Sequence, residues 1–343
     1  MTRRSWAMFA AMCVIWGIPY LLIRVAVREV QPAALVLLRT GLGGLVLLPF
    51  ALRGGGFGWI RARWRPLLAF SAIEIAVPWL LLNDAERHLP SSLTGLLVAG
   101  VPLVGVVLAR LLGGERTSGA QLAGLLLGLA GVGMLVGLDL GGLRPVSLLE
   151  LVAVVVGYAV APVIMARRLA DLPPVPVVSA SLLLVAVAYL PFGLAVMPTH
   201  LAPETIWSIV VLALVCTALA FVVFFALIAA IGPARATVIT YVNPAVAVVL
   251  GVLLLNERLT VGMMIGFPLI LAGSVLAARK PSGAREAAAP EGSLCEPIAD
   301  DQSMRTDPWA VSNVAATSPA PTSSSSRQET EMPSNGWRAD VPR

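Results

Sequence analysis

The chain has 343 residues, of which 58% are hydrophobic and only 13% charged, and its mean hydropathy is +0.87. Soluble domains average about 45–50% apolar and about 25% charged residues, and one water-soluble core stops growing near roughly 250–300 residues, so this composition excludes a cytosolic enzyme. Three widely spaced cysteines (Cys13, Cys216, Cys295) exclude a disulfide scaffold, and the net charge of +5 is scattered as arginines in short loops with no basic stripe, which excludes a nucleic-acid partner.

A polytopic membrane protein remains. A hydrocarbon core about 30 Å thick takes about 20 apolar residues per helix. Hydropathy predicts ten spans, at 6–27, 33–52, 66–82, 92–112, 120–138, 148–165, 177–197, 205–230, 236–255 and 261–278. The breaks carry turn and charge signals: Arg53-Gly-Gly-Gly, Asp84-Ala-Glu-Arg-His, Gly113-Gly-Glu-Arg, Asp171-Leu-Pro-Pro and Asn256-Glu-Arg. The run after Arg3-Arg4 is too long for a signal-peptide core and leads directly into another apolar segment, so it is expected to be the first span.

Loop charge orients the bundle. With the N-terminus inside, thirteen basic residues fall at inner ends and loops, against five outside (Arg24, Arg28, Arg87, Arg144, Arg258). Both termini are therefore expected in the cytoplasm, which an even number of spans satisfies. One Lys to 23 Arg, with abundant Ala, Gly, Val and Leu, is the usage of a GC-rich bacterial genome, so the expected location is a bacterial inner membrane. The last stretch is different: residues 283–343 hold five Arg and nine acidic residues and are rich in Ala, Pro and Ser. Such a segment buries too little apolar surface to offset its ordering entropy and is expected to be a disordered cytoplasmic tail.

An internal repeat organises the rest. A shift of 142 residues places Pro32 on Pro174, Pro49-Phe50 on Pro191-Phe192, Pro102 on Pro244, Glu115-Arg116 on Glu257-Arg258, and Gly124 and Gly131 on Gly266 and Gly273. Biased apolar sequences match themselves at Leu and Ala, but not at paired Pro and Glu-Arg. Each repeat holds five spans, an odd number, so the second enters the membrane from the opposite side. Inverted repeats of this kind characterise secondary transporters, in which exchanging the two halves' conformations moves a central cavity from one face to the other.

The chain resembles the drug/metabolite transporter superfamily, in its form with two tandem EamA-type domains. The likeness covers nearly all of residues 10–278. It rests on Trp16-Gly17, Pro32 with Arg39, Pro78, Val101-Pro102, Gly113-Gly-Glu115 and the glycines Gly124, Gly128 and Gly131, with Asn243-Pro244, Asn256-Glu257 and Gly266 to Gly273 in the second half. The resemblance implies an all-α bundle of ten transmembrane helices in two inverted five-helix repeats, 1–142 and 143–280, followed by a tail at 281–343. It also implies alternating-access movement of a small organic metabolite, with efflux the favoured direction. Amino acids, drugs and other metabolites all remain open as substrates, as do proton coupling and exchange.

Site candidates follow from cost. An ionisable residue in mid-span costs about 2.5–3.5 kcal/mol on insertion scales and needs a reason. Two lie well inside, Arg39 and Glu74, at depths that permit pairing. Either Glu74 lines the cavity and takes a proton or a cationic substrate group while Arg39 trades partners with it, or the two form a permanent ion pair between the second and third spans. The shift sets Arg39 against Ser181 and Glu74 against Cys216, so the halves are chemically unequal.

Trp16 and Tyr158 correspond under the shift and are candidate cavity walls or ordinary packing residues. Tyr241 and Asn243 precede Pro244, whose missing N–H frees a helical carbonyl, with a matching break expected at Pro102. The glycines Gly124, Gly128, Gly131, Gly262 and Gly266 are expected to be helix contacts.

No nucleotide-binding, metal or nucleophile–base motif is visible, so no cofactor is expected and any driving force comes from a gradient. The expected partners are a small-molecule metabolite, the lipid bilayer and a proton, in a monomer or homodimer. A sensor or scaffold acting through the tail, and less so a membrane enzyme, are the alternatives.

Overall fold

A computed structural model describes residues 2–113, 118–137, 144–232, 236 and 238–277, and among them every regular element is a helix. The expected tail and the Glu115-Arg116 pair lie outside the described residues. The first half comprises α1 (Arg3–Ile15), α2 (Pro19–Ala26), α3 (Pro32–Arg53), α4 (Ile60–Phe70), a π-helical turn (Ser71–Ala76), α5 (Val77–Ala85), α6 (Ser91–Val98), α7 (Val101–Gly113) and α8 (Gly119–Gly137). The second comprises α9 (Pro145–Arg168), α10 (Pro174–Ala195), α11 (Pro203–Ala213), a second π turn (Leu214–Leu219), α12 (Ala220–Ile231), α13 (Ile239–Leu255) and α14 (Val261–Ala277).

Seven of the resulting spans are long and apolar enough to cross a membrane: Arg3–Ala26, Pro32–Arg53, Ile60–Ala85, Ser91–Leu108, Pro145–Arg168, Pro174–Ala195 and Pro203–Ile231. Three shorter apolar helices, Gly119–Leu135, Ile239–Leu255 and Val261–Ala277, stand where the fifth, ninth and tenth spans were expected.

Proline sets many of the boundaries. Pro19, Pro32, Pro145, Pro174 and Pro203 each occupy the first turn of a helix, where their missing N–H costs nothing. The same constraint parts α1 from α2 at Trp16–Ile18. The expected break near Pro102 is present, as a turn at Ala99–Gly100. At Pro244 it is not: α13 runs through that residue unbroken.

The repeat reappears in the packing. Counterpart helices lie against each other, α3 on α10 and α8 on α14. The first helix of each half packs across on the other: α9 packs on α5 and α7, while α1 packs on α12 and α13, their counterparts under the shift. The π turns also correspond, since the shift carries Ser71–Ala76 to within one residue of Leu214–Leu219. Their causes differ. In the first, Pro78 has no N–H for the carbonyl four residues back, and the wider turn relieves the ring's clash with it. In the second, the Thr217 hydroxyl donates to the Leu212 carbonyl at 2.8 Å.

Glycine lets α8 and α14 meet backbone to backbone. A Cβ on Gly131 would sit 2.7 Å from the Ile270 nitrogen and 2.8 Å from the Gly266 oxygen, and one on Gly273 would sit 2.6 Å from the Gly124 oxygen. Gly128 lies in the same contact, its Cα 2.6 Å from a Cβ on Gly273, and its own open side receives the Leu103 side chain of α7.

Polar ties join the halves at helix ends. Asn256 turns the chain out of α13 through a left-handed conformation, φ 53°. That turn aims the Glu257 carboxylate at the start of α6, where it accepts from the Ser91 amide (2.7 Å), the Ser91 hydroxyl (2.9 Å), the Ser92 amide (2.9 Å) and the Ser92 hydroxyl. A carboxylate on free amides at a helix N-terminus is favoured by charge as well as geometry. Gly251 makes room for it, because a Cβ there would lie 3.0 Å from the Ser91 hydroxyl. Two further ties use acids that correspond under the 142-residue shift: Glu29 accepts from the Ala202 amide at 2.9 Å, and Asp171 accepts from the Arg63 guanidinium at 2.8 Å.

Two outcomes follow from these contacts. Gly131→Leu forces α8 from α14 and is expected to cost about 1–3 kcal/mol or more; Gly133→Leu, which points into open space, should leave the melting temperature of the purified protein unchanged. Glu257→Ala strips four donors of their acceptor and is expected to cost about 2 kcal/mol or more in thermal unfolding, with Gly251→Val producing a loss in the same direction.

Candidate functional site

Arg39 lies seven residues into α3, about 10 Å from the helix start at 1.5 Å per residue, and is 7% exposed. Its Nε donates to Thr217 Oγ1 at 3.0 Å, and its guanidinium carbon sits 3.6 Å from the centre of the Trp79 ring. Thr217 belongs to the π turn of the second half and Trp79 follows the π turn of the first, so one cation bridges both halves. A stacked, desolvated guanidinium gains about 2 kcal/mol from the ring, against a burial cost of several kcal/mol. No carboxylate closes the difference: among the described residues the ion pairs are Arg63–Asp171 at 2.8 Å and Arg87–Asp84 at 3.2 Å.

Glu74 sits in the first π turn, half-buried, and its Oε2 has no hydrogen-bond partner. The structure therefore does not form the Arg39–Glu74 ion pair that depth alone permits. Arg39 turns instead to Trp79 and Thr217. Tyr158 of α9 lies within electrostatic reach of both charges and faces the Trp79 indole. Its backbone is held close by Gly157, where a Cβ would lie 2.7 Å from the Ile73 carbonyl oxygen. Tyr20 of α2 also faces Arg39. On the opposite half, Ser181 and Cys216 stand where Arg39 and Glu74 do; both are buried, and the Ser181 hydroxyl has no partner.

The other candidates divide. Trp16 packs on Phe224 at 4.6 Å and on Phe221 at 6.2 Å, and Phe221 stacks on Phe225 at 6.0 Å. Phe221, Phe225 and Tyr158 all pack on the apolar cluster that contains Trp79, so Trp16 reaches the Arg39 region through phenylalanines rather than as a wall facing Tyr158. Tyr241 and Asn243 are not brought there. The Tyr241 hydroxyl donates to the Ser274 carbonyl at 3.4 Å, while the Asn243 amide nitrogen donates to the Cys13 and Ile239 carbonyls at 3.1 and 2.9 Å. Both brace α13, against α14 and α1 respectively.

Sequence reasoning missed Trp79 and Thr217 as the supports of Arg39, and it missed Glu86. Placed in a loop by its neighbours Asp84 and Arg87, Glu86 is 0% exposed, and neither of its carboxylate oxygens has a partner. A groove of 340 Å³ opens where α3 begins and α5 ends, lined by Gln31, Pro32, Leu81, Asp84, Arg87 and Glu150. Arg39 lies two helical turns along α3 from its rim at Pro32.

Comparison with known proteins places this arrangement. Residues 4–137 and 146–279 each match the EamA-like transporter family. A probable terminal-alkyne amino-acid exporter of Streptantibioticus cattleyicolor is 30% identical over 138 residues, 39% of this chain and 45% of that protein. The inner membrane transporter YedA of Escherichia coli K12, which bears the description uncharacterized, is 33% identical over 129 residues, 36% of this chain and 41% of that protein. The matched stretches thus span less than half of either relative. A solved structure titled only as the crystal structure of a protein superposes with a TM-score of 0.59 at 23% identity, covering 81% of this chain and 97% of the other, and shares the fold. With two tandem copies of the family domain over most of its length, the chain belongs to the EamA-like transporter family.

Proposed function

We propose that the protein is a secondary transporter that exports a small metabolite carrying an anionic group, an amino acid or a close analogue, by alternating access. The observation that carries this reading is Arg39, a buried cation fixed between Thr217 of one half and Trp79 of the other, with no acidic ion-pair partner among the described residues. Nε and the ring face are occupied; the terminal nitrogens are the fork that grips a carboxylate in two parallel bonds. Glu74, also within electrostatic reach of Tyr158, supplies the opposite charge, taking the ammonium group of a zwitterion or, between substrates, a proton. The amino-acid exporter among the relatives supports the same substrate class.

In this reading all ten apolar helices cross the bacterial inner membrane, both termini are cytoplasmic, and residues 1–142 and 143–280 form the inverted halves. Charge asymmetry of the loops supports the orientation. The exchanged packing of α9 and α1 supports rocking of one half against the other, since each half's first span rests on the other pair's third and fourth. Because Arg39 binds through Thr217 on one side and Trp79 on the other, a ligand on it engages both halves at once.

Metabolite release from cells expressing the wild type, Arg39→Gln, Glu74→Gln or an empty vector, at matched membrane levels, tests the reading. The wild type is expected to release a carboxylate-bearing compound. Removing one partner of a buried charged contact costs about 2–5 kcal/mol, so Arg39→Gln should lower release at least about thirtyfold. Glu74→Gln should abolish release of the zwitterion. Equal release from Arg39→Gln and the wild type would overturn the site, and no excess of the wild type over the vector would overturn export.

A further inference from the structure

At the end of the bundle where α2 and α5 finish and α6 begins stands a second buried acid, which makes no hydrogen bond to Arg39, Trp79 or Thr217. Glu86 caps the C-terminus of α5, yet its side chain is 0% exposed and both its oxygens lack a partner. The groups that face it are Arg24 and Tyr20 of α2, Arg39 of α3, Tyr158 of α9 and the Glu257 carboxylate after α13. Arg24 is the nearest cation, and it is engaged elsewhere: its guanidinium donates to the backbone carbonyl of Glu86, not to the carboxyl. Glu257 is committed to the Ser91 and Ser92 donors.

A carboxylate cannot remain ionised in such a pocket without a donor or counter-ion. Two arrangements satisfy it. With a proton bound, Glu86 is neutral and the present packing stands. Without one, the carboxylate must draw Arg24 off the carbonyl or admit water, and either step loosens α2 and α5 where Glu257 clasps α6.

We propose that Glu86 is a proton-binding site that holds this end of the bundle closed, with Arg24 as the cation that exchanges onto it when the proton leaves. The site is distinct from Glu74, which lies three turns earlier along the same span, and no substrate is involved in its chemistry. The proton goes to solvent, and the only bonds made or broken are hydrogen bonds.

The sign is set by the environment. Burial, the largest cause, pushes the Glu86 carboxyl well above the usual carboxylate range; Arg24 pulls it down, Glu257 adds to the rise and Arg39 pulls it down. An acid that holds its proton more tightly when closed favours closure at low pH. That advantage is lost as pH rises above the ordinary carboxylate value and through the raised one.

The test uses the full chain in nanodiscs, with Cys13, Cys216 and Cys295 replaced by Ala and a reporter at Leu93→Cys. Leu93 is 2% exposed, on α6 and in the same apolar cluster as Leu89. A water-soluble methanethiosulfonate measures opening between pH 5 and 9, and dividing by the rate in Glu86→Gln removes the thiol's own pH dependence. The normalised rate is expected to rise about tenfold with a single-proton midpoint, as opening becomes about tenfold more populated. Identical pH profiles in the two proteins would overturn the proposal.

Arg24→Gln gives an independent reading should Glu86→Gln fail to fold. Loss of the exchanging cation should move the midpoint of the raw labelling profile to higher pH. A uniform change in rate with an unmoved midpoint would mean that Arg24 only packs there, and would overturn the exchange. No substrate is added in either arm, so the result is separate from that of the metabolite-release assay.

Discussion

Inside a bilayer, no water completes a broken backbone hydrogen bond, so every interruption of a helix must be satisfied by the protein itself. That constraint accounts for most of what is irregular here. At the π turn before Pro78, Tyr189 donates to the Ala76 carbonyl at 3.0 Å, and Gly157 lets α9 come close over the Ile73 oxygen. The second π turn is closed by Thr217, whose hydroxyl donates to Leu212 and accepts from Arg39. At the start of α6, Glu257 arrives from the other half to take the free amides. At Ala76 and at α6 the partner comes from the other half, and at Thr217 the closing hydroxyl is itself the acceptor for Arg39 of the first half. Satisfying the backbone is therefore what ties the halves together, and the same irregular turns are where Arg39 and Glu74 are held.

Duplication supplies the frame, and departure from it supplies the chemistry. Two copies of one family domain pack so that α3 meets α10 and α8 meets α14, and the acids Glu29 and Asp171 stand at corresponding positions, each tied to the other half. Where function is proposed, the copies differ. Ser181 and Cys216 replace Arg39 and Glu74, and Pro233 and Ala234, at the positions corresponding to Ser91 and Ser92, lack the hydroxyls that Glu257 uses. Two identical buried charges related by symmetry would each need compensation. A single guanidinium avoids that second compensation, and the hydroxyls of Ser91 and Ser92 give Glu257 donors that the corresponding sequence positions do not carry.

The sequence displayed the frame clearly because membrane helices are written in composition. Apolar runs, paired prolines and loop arginines report length, boundary and offset without any knowledge of packing. The site was only half legible. Arg39 and Glu74 stood out as charges in apolar runs, but their pairing could not be read, because depth fixes two coordinates loosely and the direction of a side chain not at all. Trp79 gave no signal as a support, since a tryptophan beside a proline reads as packing. Pro244 misled in the opposite way: its missing N–H is absorbed within α13, and Tyr241 and Asn243 brace that helix instead of opening it. Glu86 was hidden by its neighbours, for an acid between Asp84 and Arg87 carries the composition of a loop whether or not the fold covers it.

The two buried acids occupy unlike positions, and the difference matters for how a gradient can act on the protein. Glu74 is half-exposed beside Tyr158 and within the span that carries the proposed site, so a charge there competes with whatever the site holds. Glu86 is sealed at the end of the same span, beside Arg24 and the Glu257 clasp. In the proposed reading, a proton at Glu74 exchanges against a ligand, whereas a proton at Glu86 exchanges against a conformation. Because α5 joins them as one continuous helix from Val77 to Ala85, a shift of its end reaches Trp79, and Trp79 is one wall of Arg39. A single rigid element thus connects the ring that seats the buried cation to the carboxyl that closes the end.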